Sequence, residues 1–303
     1  MELEQFYQNL QVPKHRVDVV IDSDTFNEVD DQFAISYLLT AADKLNLKAI
    51  YAAPFLNDHS VSPEDGMEKS YEEILKLLQL IGKPEYVPVT YKGSDRFLPD
   101  ENTPVLSAAA LDLAQRAQEY SPENPLYVIA IGAITNIASS LIMHPQIKEN
   151  IVVIWLGGNG RDYHNNREFN MRQDVAAARV VLQSGVPLVQ LPCFGVVSAL
   201  SASLIEMEHY LAGKNPLCDF LLSRVKARIG SNDALSSRIL WDVAAVSWLL
   251  NTDNCFMLSR LDSLAIPEYN LQYSYDSDRK MRYVYYIKRD SILKDLFEKL
   301  ADI

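Results

Sequence analysis

Residues Val17–Leu39, VDVVIDSDTFNEVDDQFAISYLL, open with a β-branched apolar run, break into polar residues, and then return to an apolar spacing of three to four. Val17 to Ile21 reads as a strand, and the segment through Phe33, Ile35 and Leu38 as an amphipathic helix. Similar apolar runs recur at Leu47 to Ala52, Tyr86 to Val89, Leu126 to Ile131, Ile151 to Leu156 and Pro187 to Leu191. Helix-period segments separate them, as in Met67, Tyr71, Ile74, Leu78 and Ile81. Strands alternating with helices predict an α/β fold with a mostly parallel open sheet, and right-handed crossovers put helices on both faces. After Ala199 the pattern predicts helix through Glu206 to Tyr210, Leu217 to Ile229 and Ser237 to Leu250. The tail from Tyr269 to Ile287, with Met281, Tyr283, Tyr285 and Ile287 alternating, predicts an antiparallel addition. No repeat, low-complexity tract or Gly/Ser linker interrupts the chain, so residues 1–303 are expected to form one domain.

Charge narrows the function. With 28 basic against 40 acidic residues and a formal net charge of -12, broad electrostatic binding of nucleic acid or anionic lipid is not expected. A small molecule or a cation fits better. Neither a signal-peptide core at MELEQFYQNLQVPKHRV nor a run of about 18 apolar residues is present, so a cytoplasmic protein without a membrane span is expected. Cys193, Cys218 and Cys255 are odd in number and widely spaced, which predicts buried free thiols rather than disulfides or a zinc motif.

Ligands of open parallel sheets bind beyond the carboxyl ends of the strands. Asp22, Asp24, Glu28, Asp30 and Asp31, five acidic residues within ten positions, follow the first strand at such an end. The plain structural alternative is that Asp22 ends a strand and Asp30 caps a helix, which explains one or two carboxylates but not four. Carboxylates packed together raise one another's pKa unless a cation or hydrogen-bond donors compensate them, and oxygen-only donors suit a hard divalent ion, calcium or magnesium. A further carboxylate, Asp242 in RILWDVAAVSWLL, sits in a segment apolar nearly all round. An ionised group there needs a partner; pairing with Arg238 or helix capping is the ordinary alternative.

Four segments, in order, resemble the inosine/uridine-preferring nucleoside hydrolases: IDSD followed by DD, IGAITNIA (Ile131 to Ala138), GGN with REFN (Gly157 to Asn170), and WDVAAV (Trp241 to Val246). The resemblance runs from about Val17 to Leu250. It implies a nucleoside hydrolase-like, Rossmann-like core and a Ca2+-dependent N-ribosyl hydrolase that is a homodimer or homotetramer. In that reading Asp24, Asp31, Asp242 and the Thr135 carbonyl hold the metal, and Asp24 also accepts the proton of the nucleophilic water. Asp30, Asn57, Glu168 and Asn170 bind the ribose hydroxyls, Glu168 also stabilising the cationic sugar, and Asp22 supports the ligands from behind. Glu168 and Asn170, two apart, would point the same way in an extended loop. A solvated polar loop is the alternative there, and Asp174 reads as a helix N-cap.

Two departures from the family pattern bear on chemistry. The interval between Asp24 and Asp30 is two residues longer than usual. Trp241 stands where family members carry a histidine that protonates the leaving base, and an indole cannot supply that proton. Trp241 is instead expected to stack on the base, with His164, Tyr163 and the tyrosines of the tail as candidate substitute acids. Two other functions compete: a calcium- and ribose-binding sensor without turnover, and a haloacid-dehalogenase-like phosphatase suggested by DSDT. The phosphatase pattern wants a threonine where Phe26 stands.

Overall fold

The computed structural model describes residues 1–229 and 236–303. Its strands are β1 (Val17–Ser23), β2 (Leu45–Ala52), β3 (Thr90–Lys92), β4 (Leu126–Ala130), β5 (Ile151–Leu156), β6 (Leu188–Leu191), β7 (Ser201–Ser203), β8 (Ser237–Ile239), β9 (Met257–Pro267) and β10 (Tyr273–Ile287). One eight-stranded sheet has the order β3-β2-β1-β4-β5-β6-β10-β9, and β7 and β8 pair separately. All pairings in the large sheet are parallel except β9 against β10.

The near-continuous apolar character of these strands follows from burial on both faces. Along β5, Val152, Ile154 and Leu156 pack into one apolar layer with Phe33 and Ile35 of helix Asp30–Thr40 and with Trp248 of helix Val243–Leu249. Ile151, Val153 and Trp155 point into the other layer, against Ile137 of helix Thr135–Met143 and Val181 of helix Val175–Gln183. Helix Pro63–Ile81 has sequence-written ends: Ser62 Oγ accepts from the Asp65 amide at 3.1 Å, and Gly82 terminates it at φ 72. Among the described residues, no helix is long and apolar enough to cross a membrane.

Four local expectations are corrected. Residues Tyr86 to Val89 lie in a 3-10 helix, Pro84–Val89, and the strand comes afterwards as β3, because Pro88 has no N–H to give a ladder. Ser237–Ile239 is strand β8, paired antiparallel with β7, so helix begins only at Val243. The tail strand β10 joins β6 in parallel, Arg282 opposite Val189, and only β9 is the antiparallel addition; register shifts leave Tyr285 exposed and Ile287 buried. Cys193 and Cys218 are buried, but Cys255 is exposed.

The sheet reverses direction of winding at β1, with β2 and β3 on one side and β4, β5 and β6 on the other. Chain leaving the carboxyl ends of β1 and β4 therefore diverges to opposite faces and opens a crevice between them.

Candidate active site

Residues beyond five strand ends meet over that crevice in a cavity of about 550 Å³, lined by Asp24 after β1, Asn57 after β2, Ile131 after β4, Glu168 and Asn170 after β5, and Cys193 after β6. Asp30, Asp31, Trp241 and Asp242 complete one wall.

The aspartates are fixed by the local chain. Ser23 Oγ donates to Asp31 Oδ1 at 2.7 Å, and Asn27 Nδ2 donates to Asp24 Oδ2 at 3.1 Å. Asn57 Nδ2 in turn donates to Asn27 Oδ1 at 2.5 Å, tying the loop after β2 to the loop after β1. Asp30 is not a cap, since Val29 occupies that position; Asp30 and Asp31 form the first turn, where the helix dipole favours negative charge. Asp242 directly precedes helix Val243–Leu249, and its backbone N–H donates to Asp30 Oδ2 at 3.4 Å. Arg238 pairs with Glu28, not with Asp242. One oxygen each from Asp30, Asp31 and Asp242 lie within 4.8 Å of one another. Asp31 is the first charge after burial to act on the Asp24 carboxyl, which connects the fourth carboxyl to the group.

Such packing has an electrostatic consequence. Burial, followed by the charges of Asp31 and Asp30, pushes the Asp24 carboxyl well above its ordinary range. Burial, then Glu28 and Asp31, lifts Asp30 to about 8. Asp31 rises to about 6 by burial, against hydrogen bonds from Ser23 and Asp242 that hold it down. Asp242 is raised by burial and then by Asp30, Asp31 and Asp24. Behind them Asp22 is raised to about 7 by burial, although Asn136 Nδ2 donates to its Oδ1 at 2.7 Å. Asp30 Oδ1 is buried without a hydrogen-bond partner among the described residues. An all-oxygen donor set with an orphaned oxygen fits a hard divalent cation, which would remove the repulsion between these groups.

Thr135, whose backbone carbonyl is the expected ligand, begins helix Thr135–Met143; its hydroxyl donates to Asp174 Oδ2 at 2.6 Å, and from this segment Ile131 lines the cavity. Asp174 is the N-cap expected of it, accepting from the Ala177 amide at 2.9 Å.

Glu168 and Asn170 converge for a different reason from the extended loop expected. Glu168 is the N-cap of helix Phe169–Gln173, and its carboxylate accepts from the amides of Gly158, Asn170 and Met171, each at 2.9 Å. Burial raises its pKa while those three bonds hold it down. Asn170, in the first turn, donates from Nδ2 to the carbonyls of Leu156 at 3.1 Å and Ile131 at 3.3 Å, the ends of β5 and β4. Both side chains are thus locked to the backbone that forms the cavity floor.

The opposite rim is aromatic. Trp241, half-buried, meets Phe194 edge-on with ring centroids 5.1 Å apart, and Phe194 stacks on Tyr163 at 5.3 Å. His164 is exposed and packs on Tyr163 at 4.3 Å; neither of these two lines the cavity. Among the described residues lining it there is no histidine. Asn27, Ile131, Cys193 and Phe194 also line the cavity and Asn136 anchors Asp22, roles not among the expected ones. Asn136 lay within the ITNIA segment and Asn27 within the lengthened acidic loop, so both had a signal; Cys193 and Phe194 had none beyond following an apolar run.

Comparison with known proteins gives the chain its family and fold. A sequence model of the family described as inosine-uridine preferring nucleoside hydrolase matches residues 19–280. The pyrimidine-specific ribonucleoside hydrolase RihA of Citrobacter koseri is 26% identical over 254 residues, covering 74% of this chain and 77% of its own. The RihA of Klebsiella pneumoniae is also 26% identical, over 256 residues, with 74% and 77% covered. Among solved structures, a plant nucleoside hydrolase, PpNRh1, superposes with a TM-score of 0.74 at 16% identity, covering 95% of this chain and 99% of that one. A purine-preferring ribonucleoside hydrolase from Gardnerella vaginalis gives 0.74 at 19% identity, with 94% and 98% covered. At such identities the superpositions speak for the fold. The family match displaces the phosphatase reading of DSDT.

Proposed function

This chain belongs to the inosine-uridine preferring nucleoside hydrolase family and is an N-ribosyl hydrolase, and from that premise we propose that it hydrolyses ribonucleosides or related ribosides to ribose and free base with Ca2+ as cofactor. One observation carries the reading: four buried aspartates, 24, 30, 31 and 242, face Glu168 and Asn170 across one cavity at the carboxyl ends of the sheet. Asp24, Asp31 and Asp242 would hold the cation with the backbone carbonyl of Thr135, the last assigned by resemblance. Calcium takes about six to eight oxygens and, when bound, would acidify a water and orient the ribose diol.

The chain's own groups do the rest. Asp24 accepts a proton from the attacking water, whose oxygen bonds to C1′ as the C1′–N bond breaks, and the base departs with the bonding electron pair and takes its proton from solvent. Asp30, Asn57 and Asn170 fix the ribose hydroxyls. Glu168, held by three amides, presents a charge to the sugar as it becomes cationic, an interaction strongest in the transition state. Trp241 and Phe194 offer the apolar, aromatic surface for the base. A homodimer or homotetramer is proposed on family resemblance alone.

With Trp241 at the leaving-group side and no histidine among the described lining residues, protonation of the base is the weak point. A positioned acid contributes about 10²–10⁴ in rate. p-Nitrophenyl riboside, whose leaving group needs little protonation, is therefore expected to turn over much faster than inosine in the presence of calcium, and neither to turn over with chelator. Equal rates would mean another group donates the proton, making His164 and Tyr163 the next substitutions. The same absence of an acid favours a second reading, a riboside sensor. Tight riboside binding with no turnover of either compound would establish that and overturn the hydrolase.

A further inference from the structure

Two cationic side chains on the Glu168 wall lack a counter-charge. Arg167 and Arg172 line the cavity and are exposed, and neither forms an ion pair among the described residues. Other arginines find partners: Arg116 pairs with Asp112, Arg179 with Glu101 and Arg238 with Glu28, while Arg16, Arg228 and Arg282, without a carboxylate, donate to the Asn46 side chain and to the carbonyls of Asn27 and Leu10. In a chain of net charge -12, carboxylates are plentiful, so two unpaired guanidinium groups at one cavity mouth call for a ligand explanation. Arg172 also packs on an aromatic neighbour: its guanidinium carbon lies over the Phe169 ring, 5.3 Å from the centroid. Arg167 directly precedes Glu168, so both arginines belong to the segment that presents Glu168 and Asn170.

Resting on the proposed reaction, the ribose has only one substituent unaccounted for. With its anomeric carbon and diol at the aspartates and its base at Trp241 and Phe194, the 5′ carbon is the substituent that would reach the Glu168 segment and its arginines. We infer that the site takes ribosides carrying a phosphoryl group on the 5′ oxygen, with Arg167 and Arg172 as the phosphate-binding pair. The planar fork of a guanidinium matches phosphate oxygens in paired, charge-assisted hydrogen bonds. A phosphomonoester with about two negative charges would otherwise be repelled by the acidic cavity, and the two arginines offset that repulsion where the phosphate sits. The bond cleaved is unchanged: water adds across C1′–N, giving free base and ribose 5-phosphate, and the phosphate stays intact.

The test compares a ribonucleoside with its own 5′-monophosphate, inosine against inosine 5′-monophosphate and uridine against uridine 5′-monophosphate, in the full-length protein with calcium. The ratio of the two kcat/KM values is the readout, since it cancels any general loss of folded enzyme. It is expected to favour the monophosphate by about tenfold or more, through KM, and to fall about tenfold in R167A and in R172A. R172K, which keeps the charge without the fork, should fall between. Equal or better use of the unphosphorylated nucleoside, or a ratio unchanged in both alanine variants, overturns the inference. If no compound turns over, hydrolysis itself fails, and thermal stabilisation decides the anion site separately. Greater stabilisation by the monophosphate that is lost in R172A supports the site; equal stabilisation by both compounds refutes it.

Discussion

At Glu168 one carboxylate closes a helix and lines a cavity, and the two roles separate on substitution. Removing it strips three buried amides of their acceptor and a helix of its cap, a loss of about 2 kcal/mol. Glu168→Ala should therefore lower both stability and kcat. Glu168→Gln keeps an acceptor oxygen and should lower kcat with a distinctly smaller fall in melting temperature. Equal kcat in the Gln variant and the parent would remove the charge from the mechanism. Asp24 is a cleaner case, because its amide analogue keeps shape and loses basicity. Asp24→Asn is expected to abolish hydrolysis with an unchanged circular dichroism spectrum; near-normal turnover would exclude it as the proton acceptor.

Elements, more than single side chains, set where the aspartates stand. The end of β3 comes against helix Thr135–Met143 so closely that a Cβ on Gly93 would lie 2.0 Å from the Ala52 carbonyl oxygen and 2.5 Å from Asn136 Nδ2. Asn136 reaches from that helix to Asp22 at the end of β1, and its Oδ1 accepts from Ser94 at 2.8 Å. Gly93→Ala must displace backbone or Asn136, so a stability loss of about 1–3 kcal/mol is expected by denaturant unfolding. Hydrolysis should fall as well, through Asp22 behind the metal-holding aspartates. A variant with a parental unfolding midpoint would show that this contact is slack. The β7–β8 pair acts similarly on the opposite wall, carrying Arg238 to Glu28 and leading the chain into Trp241 and Asp242.

Across the whole molecule, the buried acids make stability depend on pH in an unusual direction. Burial raises Asp22 to about 7, Asp30 to about 8 and Asp31 to about 6. A carboxyl raised on folding binds its proton more tightly folded than unfolded. Its penalty is absent below the unfolded value of about 4 and grows as pH rises through the folded value. With chelator present, the melting temperature should fall between pH 5 and pH 8. Added calcium should reverse that fall, its stabilising effect being larger at pH 8 than at pH 5 because protons and the cation compete for the same oxygens. A chelated protein whose melting temperature is flat or rising over this range, or a calcium effect that does not grow with pH, would exclude these carboxylates as the cation site. The measurement does not depend on turnover.

What the sequence determined by itself is whatever rests on local pattern. The runs at β1, β2, β4, β5 and β6 and the helix Pro63–Ile81 are written in apolar period and caps, and the acidic loop after β1 is legible because its charges lie within ten positions. Asp242 was legible too, as a charge in an apolar segment. Tertiary structure alone decided the rest, because those choices depend on partners distant in the chain. Pairing with β7 turns Ser237–Ile239 from an apparent helix into a strand. Glu168 and Asn170 converge through three backbone amides and two strand-end carbonyls, not through an extended two-residue period. Thr135 is drawn to Asp174 while Ile131 lines the cavity, a choice made by where helix Thr135–Met143 packs and invisible in the order of residues. Period and capping act over a few residues, whereas a hydrogen-bond partner is selected by whatever the folded chain brings within about 3 Å.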